Sequence, residues 1–169
     1  MILAIDTSGE FAGLTLLDGE PLELVVHSPE GHAGQLIWNI DALLRRAGKT
    51  IHDVDCFAAA SGPGSFTGIR VALSAAKGLA EATGKPMVAV SNLQALAFYG
   101  TATLRAPVID ARRGEIFGAL YDRDLNLVEP ETVAKFEPWY ERLPAGVEIV
   151  CAGDVHQDEV TVRWIRLDA

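Results

Sequence analysis

Through the first forty positions apolar residues alternate or cluster over short stretches, and tight turns separate them. Ile2–Asp6 reads as a short buried strand, Thr7-Ser8-Gly9-Glu10 as a turn, and residues 11–17 as a returning strand. Asp18-Gly19-Glu20-Pro21 makes the next turn, into a third strand over 22–27, after which Pro29 and Gly31 break the pattern. From 33 to 47 the period changes. Leu36, Ile40, Leu43 and Ala47 recur at helical spacing, and Gly48 supplies the stop. Residues 54–60 are apolar except for Asp55, the pattern of a strand covered on both faces. A glycine-rich turn then opens a helix over 67–83, closed by Gly84 and Pro86, followed by a strand over 86–90 and a short helix over 92–99.

The second part repeats the first. Ile5-Asp6-Thr7-Ser8-Gly9-Glu10-Phe11-Ala12-Gly13 matches Ile109-Asp110-Ala111-Arg112-Arg113-Gly114-Glu115-Ile116-Phe117-Gly118, with one residue inserted in the later turn. Both copies run on through an acidic turn, the later one Asp122-Arg123-Asp124, into a third strand, here over 125–128. A duplicated strand–strand–strand–helix unit predicts two related α/β lobes facing each other, 1–100 and 101–169. Beyond Val128, residues 131–142 read as a short helix around Trp139 and 147–152 as a strand. A polar tail follows, alternating through Val160, Val162, Trp164 and Ile165 without a closing helix.

Composition narrows the class. The 169 residues carry 14 Lys and Arg against 23 Asp and Glu, a net charge of −9, with 49% apolar residues. That supports a sizeable core and argues against a non-specific grip on a phosphate backbone, which needs clustered cations. A nucleic acid held by a basic partner remains compatible with it. No apolar run approaches the roughly eighteen residues of a membrane helix. The opening Met1-Ile2-Leu3-Ala4-Ile5-Asp6 has no basic leader, so the expectation is a soluble, cytoplasmic protein. Cys56 and Cys151 sit in apolar surroundings and read as two buried, reduced thiols.

The sharpest local motif is Ser61-Gly62-Pro63-Gly64-Ser65-Phe66-Thr67-Gly68-Ile69-Arg70, which joins a strand to a helix. Free backbone N–H groups there would cradle an anion; equally, a tight turn would need these glycines for backbone conformation and close approach. It lacks the Gly-Lys-Ser/Thr of a Walker loop, and the residues flanking Ser65 exclude a nucleophile elbow. In the helix that follows, Arg70, Ser74, Lys77 and Glu81 form one narrow polar stripe, and most of the remaining circumference is apolar. Such a helix needs cover from a second side, inside the monomer or at a subunit interface. Asp6 and Asp110 each end a strand, where a carboxylate can face a nucleotide cleft or accept the N–H of an Asx turn. Arg112 and Arg113 occupy a hairpin tip. His27, His32, His52 and His156 lack metal-site spacing, and no complete catalytic constellation is present.

Ile5-Asp6-Thr7-Ser8, the run from Ser61 to Arg70 with its Ala-rich helix, and Asp110-Ala111-Arg112-Arg113-Gly114-Glu115 together closely resemble the bacterial TsaB (YeaZ) family over residues 1–128. The resemblance implies an α/β, actin-like (ASKHA) fold of two ribonuclease-H-like lobes, here with the second lobe shortened. It implies a role in making N6-threonylcarbamoyladenosine at tRNA position 37. There TsaB is the non-catalytic scaffold of a TsaD-like catalytic subunit, with a TsaE-like ATPase and with tRNA met through the complex. The catalytic relative holds its metal with two histidines four apart; here Asn92 and Leu96 occupy those positions, so neither metal nor catalysis is expected of this chain.

The resemblance further implies pairing through the first two helices, with TsaD or with itself as a homodimer. The interface residues on this reading are Leu36, Ile40, Leu43, Ile69, Leu73, Ala76, Leu79 and Ala80, so that Ala76→Arg would block the partner and leave the monomer folded. Asp6, Thr7, Ser8, Gly64, Ser65 and Asp110 are the candidates for a nucleotide or anion cleft. No cofactor is required, ATP or ADP at a subunit boundary being the one ligand the resemblance brings in. The alternatives are an ATP-dependent, kinase-like enzyme of the actin-like superfamily and a stand-alone homodimer.

Overall fold

The computed structural model describes residues 1–27 and 33–152, together with the backbone of 165–167. The chain divides into two compact units, Met1–Ser91 and Asn92–Ala169.

In the first unit β1 (Ile2–Asp6), β2 (Phe11–Asp18) and β3 (Glu20–His27) are followed by α1 (Leu36–Arg46), β4 (Cys56–Ala60), α2 (Phe66–Thr83) and β5 (Met87–Val90). The sheet order is β3-β2-β1-β4-β5, an antiparallel meander extended by two strands parallel to β1. Ile5 lies opposite Leu14 on one side and Ala59 on the other. Because side chains alternate along a strand, this register gathers Leu3, Ile5, Leu14, Leu16, Phe57 and Ala59 on one buried face. Helix α1 lays Leu36, Ile40, Leu43 and Leu44 on that face. Helix α2 presents Gly68, Ala72, Ala76 and Ala80, four small residues at intervals of four, and so lies close to the strands. Ser65 caps α2, its Oγ accepting the Gly68 N–H at 3.2 Å, and Gly84 ends it in the left-handed conformation at φ 67°.

The second unit opens with α3 (Asn92–Ala97), then β6 (Leu104–Arg112), β7 (Glu115–Asp122), β8 (Leu127–Ala134), α4 (Phe136–Tyr140), β9 (Glu148–Ala152) and β10 (Ile165–Leu167). Its order, β10-β9-β6-β7-β8, is that of the first sheet with β6 in the place of β1, so the repeated meander is a repeated topology. Phe136 and Trp139 of α4 pack on Ala106, Val108, Ile116 and Ile149. Gly118 leaves room for the Trp139 ring, whose Cζ2 would stand 2.7 Å from a β-carbon there. Leu93 and Ala97 of α3 pack with Ala119 and Tyr121 of β7 in a separate cluster.

Several expectations are corrected. Residues 131–134 continue β8, with Thr132 and Val133 opposite Gly118 and Phe117, and the helix shrinks to α4. Pairing partners and β-branched side chains outweigh the helical spacing there. Leu125 lies in the β7–β8 turn at φ 61° instead of in the strand. Val54 is buried but precedes β4, closing a 3-10 turn at Ile51–Asp53. The division falls after Ser91 because α3 rests on β6 and β7 of the second unit. Both cysteines are free thiols, but only Cys151 is buried; Cys56 is half-exposed. Pro29, Gly31, His32, His156 and the alternation through Val160, Val162 and Trp164 lie outside the described residues. Among the described residues no helix is long and apolar enough to cross a membrane.

Candidate functional site

The end of β1 and the start of α2 meet in a dense junction within the first unit. Asp6 accepts the Ser8 N–H on Oδ1 at 2.8 Å, and the buried Thr7 hydroxyl donates to the Gly68 carbonyl at 2.6 Å. The Ser65 N–H donates to the Ser8 carbonyl at 2.7 Å. A β-carbon on Gly64 would stand 2.8 Å from that same carbonyl oxygen, and one on Gly68 would overlap the Thr7 carbonyl. Gly62 is at φ 96°. Close approach and backbone conformation therefore account for the glycines of this turn. The junction brings Asp6, Thr7, Ser8, Gly64 and Ser65 together. Asp110 belongs to the other unit, where it repeats the Asx turn, accepting the Arg112 N–H at 2.7 Å.

The helix layer sorts the proposed interface residues differently. Leu36, Ile40, Leu43 and Ala76 are at most 3% exposed and Ala80 is 8% exposed, all within the core of the first unit. They face the sheet because that face is where the strands bring their apolar side chains. Ile69, Leu73 and Leu79 are half-buried, and Leu73 and Leu79 flank the same core. Much of the apolar circumference of α2 is thus used inside the chain. The surfaces that look outward carry Ile37 and Trp38 on α1, 56% and 75% exposed, and Phe66 on α2, 68% exposed. The Arg70 guanidinium lies 3.3 Å above the Phe66 ring, a cation–π contact on the outside of the helix. Trp38 is legible in the sequence as an apolar residue off the Leu36–Ile40–Leu43 stripe, a signal outweighed by the regularity of the stripe itself.

On α3, Leu96 is only 6% exposed and packs inward, so the position four residues after Asn92 belongs to the core. Among the described residues no group of three or more His, Cys, Asp or Glu side chains could hold a metal ion. The perturbed carboxylates lie at turns. Hydrogen bonds from the Thr50 backbone and side chain lower the Asp53 pKa, and those from Asn126 lower that of Asp122. Asp55 is lowered first by its hydrogen bond to the amino terminus of Met1 at 2.6 Å, then by that group's charge.

Two units of one topology, each an antiparallel meander extended by parallel strands, define an actin-like protein built from ribonuclease-H-like units. The family model described as TsaD, tRNA N6-adenosine threonylcarbamoyltransferase, matches residues 27–155. The tRNA threonylcarbamoyladenosine biosynthesis protein TsaB of Escherichia coli is 36% identical over 151 residues, covering 84% of this chain and 65% of the relative. Its Bacillus subtilis counterpart is 34% identical over 149 residues, with the same coverage of 84% and 65%. YeaZ from Pseudomonas aeruginosa superposes with a TM-score of 0.76 at 33% identity, over 89% of this chain and 74% of that one. The chain belongs to this family, on its TsaB (YeaZ) branch. It spans just under two thirds of the length of these two curated relatives.

Proposed function

We propose that the chain serves the synthesis of threonylcarbamoyladenosine in tRNA as a non-catalytic subunit that docks a TsaD-type transferase. The names of the TsaB relatives support the pathway. What supports the non-catalytic role is the pair Asn92 and Leu96, a carboxamide and a core leucine at the two positions where the family resemblance places the metal-binding histidines of the catalytic relative. An apolar side chain cannot coordinate a metal, and replacing it would disturb the packing of α3.

The docking surface on this reading is the outer face of the α1–α2 layer, with Ile37, Trp38 and Phe66 as its apolar anchors. Trp38 and Phe66 are exposed aromatic side chains on two helices that pack on the same sheet face, and exposed aromatics mark an association surface better than scattered aliphatics do. A TsaE-type ATPase joins the complex, tRNA is met through it, and any ATP or ADP sits at a subunit boundary. With −9 net charge, the chain leaves the tRNA backbone to its partners.

The test is reconstitution. The TsaD-type protein of the same organism, its ATPase, threonylcarbamoyl-AMP and unmodified tRNA are combined with and without this chain, and modified adenosine is measured. Stimulation by the chain, with none formed by the chain alone, is the expected result. Transfer by the chain alone, or the same yield without it, overturns the proposal.

A further inference from the structure

The first sheet ends on β5, the last strand in the order β3-β2-β1-β4-β5, and among the described residues no strand pairs with its far side. The Phe57 N–H donates to the Pro86 carbonyl at 3.0 Å and the Ser61 N–H to the Val90 carbonyl at 2.9 Å. Positions 86, 88 and 90 thus turn their backbone groups to β4, and alternation leaves those of Met87 and Ala89 on the open side. Edge strands are commonly blocked by proline and charge. Strand β3 carries Glu20, Pro21 and Glu23, and β8, an edge of the second sheet, carries Glu129, Pro130 and Glu131. Met87–Val90 has neither guard: it reads Met-Val-Ala-Val, with Val88 47% exposed and Ala89 exposed as well.

Met87 and Ala89 stand opposite Phe57 and Ala59, so they point to the face that the helices cover, while Val88 points to the other. On the helix side an open groove of about 380 Å³ runs beside this edge, lined by Lys77, Ala80, Glu81, Gly84, Lys85 and Met87. Two ammonium groups stand there against one carboxylate. Lys77 and Glu81 enter no ion pair among the described residues, and Lys85 reaches Asp55 at 3.6 Å. The groove is therefore locally cationic in a chain of net charge −9.

We infer that β5 takes up an extended segment of a partner protein as an added strand, with acidic side chains of that segment in the groove beside Lys77 and Lys85 and aliphatic ones beside Val88. The outward N–H and C=O groups of Met87 and Ala89 supply the main-chain pairing, and the period of two sorts the segment's side chains between the faces. The chemistry that fits is a carboxylate at alternate positions with a β-branched residue between. Ile37, Trp38 and Phe66 take no part in it, so this surface stands apart from the TsaD-type docking face.

The experiment is an NMR titration of the whole chain with a short blocked peptide of alternating glutamate and valine, beside its glutamine–valine counterpart. Shifts centred on Met87–Val90 and slowed exchange of the Met87 and Ala89 amides are expected. The glutamine peptide, and the glutamate peptide against Lys77→Glu, are expected to bind about fivefold or more weakly. Ala89→Pro removes an outward donor and leaves the β4 ladder intact, so binding should be lost while circular dichroism stays unchanged. Absence of binding at about millimolar glutamate peptide overturns the inference. Binding that survives Ala89→Pro, or that is equal for the two peptides, overturns it too. A wild-type chain that sediments as a dimer and becomes monomeric on Ala89→Pro assigns the edge to a second copy instead.

Discussion

Thr7 and Gly68 interlock: the Thr7 hydroxyl donates to the Gly68 carbonyl at 2.6 Å, while the Thr7 carbonyl fills the space a side chain at position 68 would need. One strand end and one helix turn thereby fix each other's position. Thr7→Val removes the hydroxyl and is expected to cost about 1–2 kcal/mol. Gly68→Ala forces backbone apart and is expected to cost at least about 3 kcal/mol. Urea denaturation of the two variants measures both. A neutral Gly68→Ala would mean that β1 and α2 can separate freely.

The helix layer separates two kinds of substitution. Ala76 is fully buried, so Ala76→Arg drives an unpaired guanidinium into the core and is expected to cost about 4 kcal/mol or more. It tests the core and cannot test the interface. Trp38→Ala, on the outside of α1, is expected to leave stability within about 0.5 kcal/mol while weakening TsaD-type binding about tenfold or more. Thermal melts and titration calorimetry check the pair of outcomes.

In the second unit the buried Glu148 carboxylate accepts the Thr101 and Ala102 N–H groups and the Thr101 hydroxyl, tying the loop after α3 to the start of β9. Glu148→Ala strands those donors and is expected to cost about 3 kcal/mol, read by chemical denaturation. Amide exchange at Thr101 and Ala102 should rise more than at β7.

Acid should loosen the turns before the strands. Asp53, Asp55 and Asp122 have folded pKa values below the ordinary 3.8 of an aspartate. Their contribution is complete above that ordinary value and is lost as pH falls through the lower folded values. Asp53 and Asp55 are exposed and Asp122 is half-buried at a turn open to solvent, so each effect is small. Carboxylate titration by NMR should place Asp122 below 3.8, and Asp122→Asn should flatten the acid limb of the stability curve. An Asp122 midpoint at or above 3.8 contradicts the hydrogen bonding of the β7–β8 turn.

Hairpins are the most legible part of the chain. Alternation and turn residues act over a few positions, so Ile2–Asp6 and its return strand are readable from local chemistry, as is the copy around Asp110. The same locality explains the miss at 131–142, where spacing suggests a helix and only pairing with β7 decides for a strand. The site is less legible. Which glycines are spacers depends on Thr7 and Ser8 arriving from a strand some sixty residues away, an encounter no window of sequence contains.

By itself the sequence determines most of the element types, the duplicated meander and the family. All of these depend on residue identity and short-range order. Tertiary structure alone decides which side of α1 and α2 is core. Both helices are apolar over a wide arc, and only the sheet's own buried face selects Leu36, Ile40, Ala76 and Ala80 for the inside, leaving Trp38 and Phe66 outside. The direction of burial belongs to the assembled layers, because a helix in isolation has no inside.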